Sequence, residues 1–139
     1  MLIEKDDIPI VSAGFMNKTH DEDRQIINDI YELILKYENI PSQNNKVNIG
    51  VLFQKWFNHT VKHFSNEESK MIEKKFPLYE KHKKEHAKAL AEMHLVFSDW
   101  QESSDITILK TYFTDILPKW IVQHIETMDL TAAKFFNEH

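Results

Sequence analysis

Along most of the chain, apolar positions return every third or fourth residue and polar residues fill the gaps. Ile27, Ile30, Tyr31, Ile34 and Tyr37 keep that spacing, which puts them on one face of an amphipathic helix. The pattern predicts a first helix from about Met16 to about Tyr37, after a short extended arm containing Pro9 and Gly14. The stretch ENIPSQNN ends it, because Pro41 disfavours helical backbone in the residue before it. A second stripe, Leu52, Trp56, His63, Glu67 and Met71, predicts a helix from near Val47 that ends by Phe76, just before Pro77. The third helix runs from about Leu78 to about Trp100, with Tyr79, His82, His86, Leu90, Met93 and Phe97 on a shared face. The loop SDWQESSD follows, with Ser104 or Asp105 as the N-cap of a fourth helix over about Ile106 to Phe136. Phe113, Leu117, Trp120, Ile121, His124 and Met128 face inward on it, and Pro118 inside the pattern predicts a kink or a restart.

Four amphipathic helices with short connections pack most simply as an all-α, up-down-up-down antiparallel four-helix bundle, here a single domain over residues 1–139. That length is enough to bury a core. Composition removes competing classes. With 42% hydrophobic and 28% charged residues, the chain is not expected to be disordered. Two glycines and four prolines leave too little turn material for an all-β fold. A net charge of −5 gives no electrostatic footprint for nucleic acid, and the lysines from Lys70 to Lys88 are interleaved with glutamate, as on a solvated helix face. Cysteine is absent, which removes disulfides, thiolate catalysis and thiolate metal sites. The start, MLIEKDDIPIV, has no apolar run long enough for a signal peptide, and no stretch approaches a membrane span. The expected location is the cytoplasm.

The chain carries eight histidines, and their placement changes the picture. His82 and His86 are four apart, about 40° around a helix, so the pair can grip one ion. They lie on the apolar stripe of the third helix. His63 and Glu67 repeat that geometry on the second, His124 joins the stripe of the fourth, and His20 aligns with Ile27, Tyr31 and Ile34 on the first. A single core histidine is ordinarily just hydrogen-bonded. Five histidines and a carboxylate converging from four helices are different, because burying each unpaired is costly. A metal supplies a partner for every lone pair at once. Imidazole with carboxylate and no thiolate suits iron, zinc, manganese or copper. Five histidines exceed what one tetrahedral zinc uses, which argues for two ions sharing bridging oxygens. No Glu-x-x-His occurs in the chain, which points away from the carboxylate-rich di-iron oxidases.

The stretches MNKTHDED at His20, KHFSNEESKM at His63 and Glu67, EKHKKEH at His82 and His86, and WIVQHIETMD at His124 and Asp129 resemble the hemerythrin family. These are non-haem di-iron oxygen-binding bundles, and the likeness is to the bacterial single-domain form. The stretches stand in the family's order and span nearly the whole chain. The resemblance implies two iron ions (Fe2+/Fe3+) with a bridging oxo or hydroxo group. One iron is bound by His82, His86 and His124, the other by His20 and His63 with an open position, and Glu67 and Asp129 bridge the two. It implies reversible binding of dioxygen for storage, delivery or sensing rather than enzyme turnover, with Phe64, Trp120, Ile121 and Ile125 as the apolar oxygen pocket. Spacing alone does not point to Asp129, since five residues from His124 is about 140° around an ideal helix. Dioxygen is the expected partner, with no nucleic acid and no membrane, and the chain is expected as a monomer or weak homo-oligomer.

One position departs from the family. Where it usually has an apolar residue three places after the first histidine, this chain has Asp23, followed by Arg24. Either a local ion pair forms there, or Asp23 faces the site. His59, one turn before His63, has the same two readings: a place beside the pocket or a plain helix position. His94 and His139 read as structural or solvent-exposed. An enzyme, either a di-iron peroxidase or a nitric oxide reductase with Asp23 as an acid, is the alternative function, and metal storage is a third.

Overall fold

A computed structural model describes residues 1–139. It is all-helical, with no strand. Helix α1 spans Gly14–Asn39, α2 Gln43–Glu73 and α3 Tyr79–Ser103. The fourth helical rod is built from α4 (Ile106–Thr111), α5 (Leu117–His124) and α6 (Leu130–Glu138). Two π turns, Tyr112–Ile116 and Ile125–Asp129, join these three pieces. Helix α1 packs on α2, α2 on α3, α3 on α4, and α4 back on α1, which closes a four-helix bundle. No helix is long and apolar enough to cross a membrane.

The helix ends have local causes. Helix α2 starts before Val47 because the Ser42 side chain accepts the Asn45 amide at 3.1 Å, capping the first turn. It stops before Phe76 because Lys75 takes a left-handed conformation (φ 55°). The Lys75 amide then bonds to the Ile72 carbonyl and the Phe76 amide to that of Met71, a Schellman ending. Phe76 and Met71 bury together behind it. Ser104, also left-handed (φ 56°), ends α3, and Asp105 caps α4 by accepting the Thr107 amide at 3.0 Å. Pro118 neither breaks nor ends the rod. The π turn just before it widens the backbone, the Leu117 amide bonding to the Tyr112 carbonyl, and α5 resumes with the proline in its first turn.

Residues 1–13 carry a short 3-10 turn at Lys5–Asp7 and are pinned to α1 by two asparagines. Asn28 holds both the amide and the carbonyl of Ile3, at 2.9 Å each, and Asn17 holds those of Val11 at 2.9 and 2.7 Å. Ile3 and Val11 are buried as a result.

Two apolar clusters fill the bundle. One holds Ile27, Ile34, Phe53, Trp56, Met93, Trp100, Phe113 and their neighbours. The other holds Met16, Met71, Phe76, Ile125, Ala132 and Phe136. Every rod crosses from one cluster to the other, and its histidines fall at or next to the crossing. His20 lies between Met16 and Ile27, His63 and Glu67 between Trp56 and Met71, and His82 and His86 between Phe76 and Met93. His124 follows Leu117, and Asp129 precedes Ala132. The fold thus sets a polar layer at one level inside an otherwise apolar core.

Candidate metal centre

The polar layer is nearly sealed from water. His20, His63, Glu67, His82, His86, His124 and Asp129 are all buried. Ligand atoms of Glu67, His82, His86, His124 and Asp129 lie within 4.8 Å of one another, and so do those of His20, His63 and Glu67. Each histidine turns its Nε2 inward. Asp129 Oδ1 stands 3.0 Å from His82 Nε2 and 3.2 Å from that of His124, while its Oδ2 stands 3.0 Å from His20 Nε2. Glu67 is divided in the same way. Its Oε2 is 2.7 Å from His63 Nε2, and its Oε1 is 3.4 Å from His86 Nε2. Each carboxylate therefore offers one oxygen to the His82, His86 and His124 group and the other to the His20 and His63 group.

How Asp129 reaches that position is a matter of backbone. On a regular α-helix it would stand about 140° from His124. The π turn Ile125–Asp129, closed by the Leu130 amide on the Ile125 carbonyl, adds one residue to the turn and brings Asp129 beneath His124.

The arrangement is unsatisfied as a purely proteinaceous cluster. Glu67 Oε1, Asp129 Oδ1 and His86 Nε2 are buried with no hydrogen-bond partner, and the Nε2 atoms of His82 and His124 face each other at 3.3 Å. Buried acceptors converging on one point carry a large penalty unless a cation takes them up. Imidazole and carboxylate donors fit a first-row divalent metal, and two groups sharing two carboxylates fit a pair of them. Electrostatics within the cluster agree. Burial opposes charge on both acids, yet the surrounding histidines hold Glu67 below its usual range and Asp129 well below it. Burial pulls the His63 imidazolium down, but Glu67 and Asp23 push it up to about 10. Burial likewise opposes charge on His124, and Asp129 and Glu85 outweigh it.

No family model matches the chain, and no solved structure matches it. Among curated proteins it is similar to a bacteriohemerythrin of Aquifex aeolicus, 23% identical over 134 residues, covering 96% of this chain and 97% of that protein. It is also similar to a myohemerythrin of Sipunculus nudus, 36% identical over 76 residues, covering 55% of this chain and 56% of that protein. These two similarities support a hemerythrin-family assignment.

Within this bundle, a cavity of about 60 Å³ opens beside His20, His63, His124 and Asp129. Phe64, Trp120, Ile121 and Ile125 all line it, and Trp56, Met93 and Tyr112 extend its apolar wall. Phe64 stacks flat on His86 at 3.8 Å between ring centroids, and Trp120 on His124 at 4.6 Å, so these two rings also hold the histidines in place.

Asp23 lines the same cavity, so the departure from the family faces the site. Its Oδ2 accepts from His63 Nδ1 and its Oδ1 from His59 Nδ1, both at 2.7 Å. Burial opposes its charge, and the two histidines nonetheless hold Asp23 below its usual range. Arg24 pairs instead with Asp21 at 3.1 Å. The Asp23 bond raises His59, whose other face approaches Glu22 at 3.7 Å. His94 and His139 are exposed and stand apart from the cluster. Two residues escaped the sequence reading: Glu68 accepts from His86 Nδ1, and Glu85 from His124 Nδ1, each at 2.8 Å. Their one signal is adjacency, Glu68 following Glu67 and Glu85 preceding His86.

Proposed function

We propose that this protein binds dioxygen reversibly at a non-haem di-iron centre. His82, His86 and His124 hold one iron, His20 and His63 hold the other, and Glu67 and Asp129 bridge them, with an oxo or hydroxo group completing the bridge. The bundle in this reading runs up-down-up-down, since connections as short as Ile40–Ser42 leave no room for a crossover. When bound, two ferrous ions supply the two electrons that dioxygen takes up and gives back.

The observation that carries the reading is the division of both carboxylates between the two histidine groups. A single-metal site has no use for it. The unequal count, three histidines against two, leaves the His20 and His63 side poorer in donors, and the apolar cavity adjoins that side. Phe64, Trp120, Ile121 and Ile125 keep water from it, which limits proton delivery to anything bound there.

Metal analysis with the visible spectrum of the reduced protein exposed to oxygen tests the reading. Two irons per chain and a long-lived absorption band that disappears under vacuum are the expected results. One zinc per chain, or iron that gives no such band, would sink it.

A second reading, turnover of peroxide or nitric oxide, has one observation in its favour. Asp23 puts a carboxylate where an apolar wall would stand, hydrogen-bonded to His63 and, through His59, leading toward the surface. Stopped-flow mixing of the diferrous protein with oxygen separates the two. Rapid decay to the ferric state with consumption of added peroxide or nitric oxide supports the enzyme.

A further inference from the structure

The five inward-facing histidines differ in what stands behind them. Carboxylates sit at the Nδ1 atoms of His63, His86 and His124, at 2.7, 2.8 and 2.8 Å. The Nδ1 atoms of His20 and His82 are buried with no partner. The three carboxylates follow a rule of position. Asp23 reaches from α1 to His63 on α2, Glu68 from α2 to His86 on α3, and Glu85 from α3 to His124 on α5.

We propose that Glu68 and Glu85, together with Asp23, are positioning residues that aim three of the five histidines at the metals and make them the stronger donors. The proposal rests on the di-metal reading above and adds to it which side chains set the donor strength of the site.

The chemistry is forced by the inventory of the ring. A neutral imidazole has one N–H, and an ionised carboxylate only accepts. A carboxylate at Nδ1 therefore fixes the proton there and leaves the Nε2 lone pair facing the centre. It also places negative charge behind the ring, which raises its basicity as a ligand. The two new braces reach their rings from the rim of the cluster, the side chains of Glu68 and Glu85 being 21% and 30% exposed, against 1% for His86 and 3% for His124. Each braced ring of the His82, His86 and His124 group is also stacked on an aromatic face, so its plane and its tautomer are set together. The bracing is uneven. Two of the three histidines in that group have a carboxylate to themselves, whereas His63 shares Asp23 with His59 and His20 has none. Donor strength is thus concentrated on the group with three histidines.

The test replaces Glu68 and Glu85 by glutamine, which keeps an acceptor and drops the charge, and by alanine, which drops both. Exposed Glu126 on the same rod as His124, changed to glutamine, is the control. Three quantities are read: the rate of metal loss to a chelator, the reduction potential of the iron-loaded protein, and the 15N spectrum of the zinc-loaded protein. Glu68→Ala and Glu85→Ala should lose metal about 10- to 100-fold faster, the usual cost of removing such a partner. The glutamine variants should hold metal better than the alanine ones and shift the potential upward, with Glu126→Gln unchanged. The zinc-loaded wild type should show Nδ1–H on His86 and His124, protected from exchange, and the glutamine variants faster exchange there. An Nε2–H tautomer at either histidine would overturn the proposal, as would alanine variants indistinguishable from wild type. If alanine variants fail to fold, the glutamine potentials decide: no upward shift means that these carboxylates only pack. A wild-type chain that takes up no pair of metals by direct metal analysis is a separate result, which fails the di-metal reading itself.

Discussion

Helix α2 and the fourth rod each bring one histidine and one acid to the cluster, and they do so differently. On α2, His63 and Glu67 are four apart in an unbroken helix of 31 residues. On the fourth rod, His124 and Asp129 are five apart, across a π turn. The first pair shares a face because 3.6 residues make a turn; the second does so only because the turn there is wider. Spacing in the sequence fixes a shared face when the backbone is regular. Where it is not, backbone register decides.

The strongest way to break this comparison is to remove one residue from each segment. Deleting Ser65 turns everything after it on α2 by about 100° and carries Glu67 and Met71 off the inner face, so the expected product neither folds nor retains metal. Deleting Thr127 instead takes the extra residue out of the π turn and leaves His124 and the acid four apart, as on α2. That chain should stay helical by circular dichroism and keep metal, held about tenfold less tightly. Equal damage from the two deletions would refute the role given to the π turn.

The acids themselves should differ less. Asp129 faces His20, His82 and His124, whereas Glu67 makes its shortest contact with His63 alone. In protein stripped of metal, each change to alanine should cost roughly 3 kcal/mol in urea unfolding, because the imidazoles left behind lose a buried partner. Asp129→Ala should be the worse of the two, and both should abolish binding of a metal pair.

A reversible change follows from the same charges. His63 is raised from 6.5 to about 10, so its contribution to the stripped protein is complete below pH 6.5 and lost as pH climbs toward 10. Glu67 and Asp129 are lowered from 4.5 and 3.8, so their contributions hold above those values and are lost as pH falls through the depressed ones. Stripped protein should therefore melt highest between about pH 4.5 and 6.5 and lose stability above that window. Loaded protein should do the opposite across pH 6.5, because a metal must displace the His63 proton and acid releases the metal. Parallel melting curves for the two forms would contradict the metal assignment at His63.

The caps give the smallest effect and the finest control. Ser42→Ala at the start of α2 and Asp105→Ala at the start of the fourth rod should each cost about 1 kcal/mol and leave metal content untouched. A larger loss at Asp105 would show that the rod with two π turns depends more on its first turn than α2 does.

Most of the polar layer was legible as periodicity. His20, His63, Glu67, His82, His86 and His124 fall on apolar stripes, and a stripe position is buried whether its residue is leucine or histidine. Three kinds of residue were not legible in that way. Asp129 needed the π turn. Glu68 and Glu85 flank residues of the polar layer on the outer side of their helices, where a carboxylate is ordinarily solvated, and only the angle of the next helix brings them to His86 and His124. Asp23 stood out as a polar residue where the family has an apolar one, but its two partners come from α2, 36 and 40 residues away.

The sequence by itself determined four amphipathic rods and the level at which each turns from apolar to polar, since helical period is a local property of the chain. Only the tertiary structure decided which oxygen of each acid serves which histidines, where the backbone widens to admit Asp129, and which carboxylates back the rings. Those depend on how neighbouring helices are rotated and spaced, which packing sets across residues far apart in the chain.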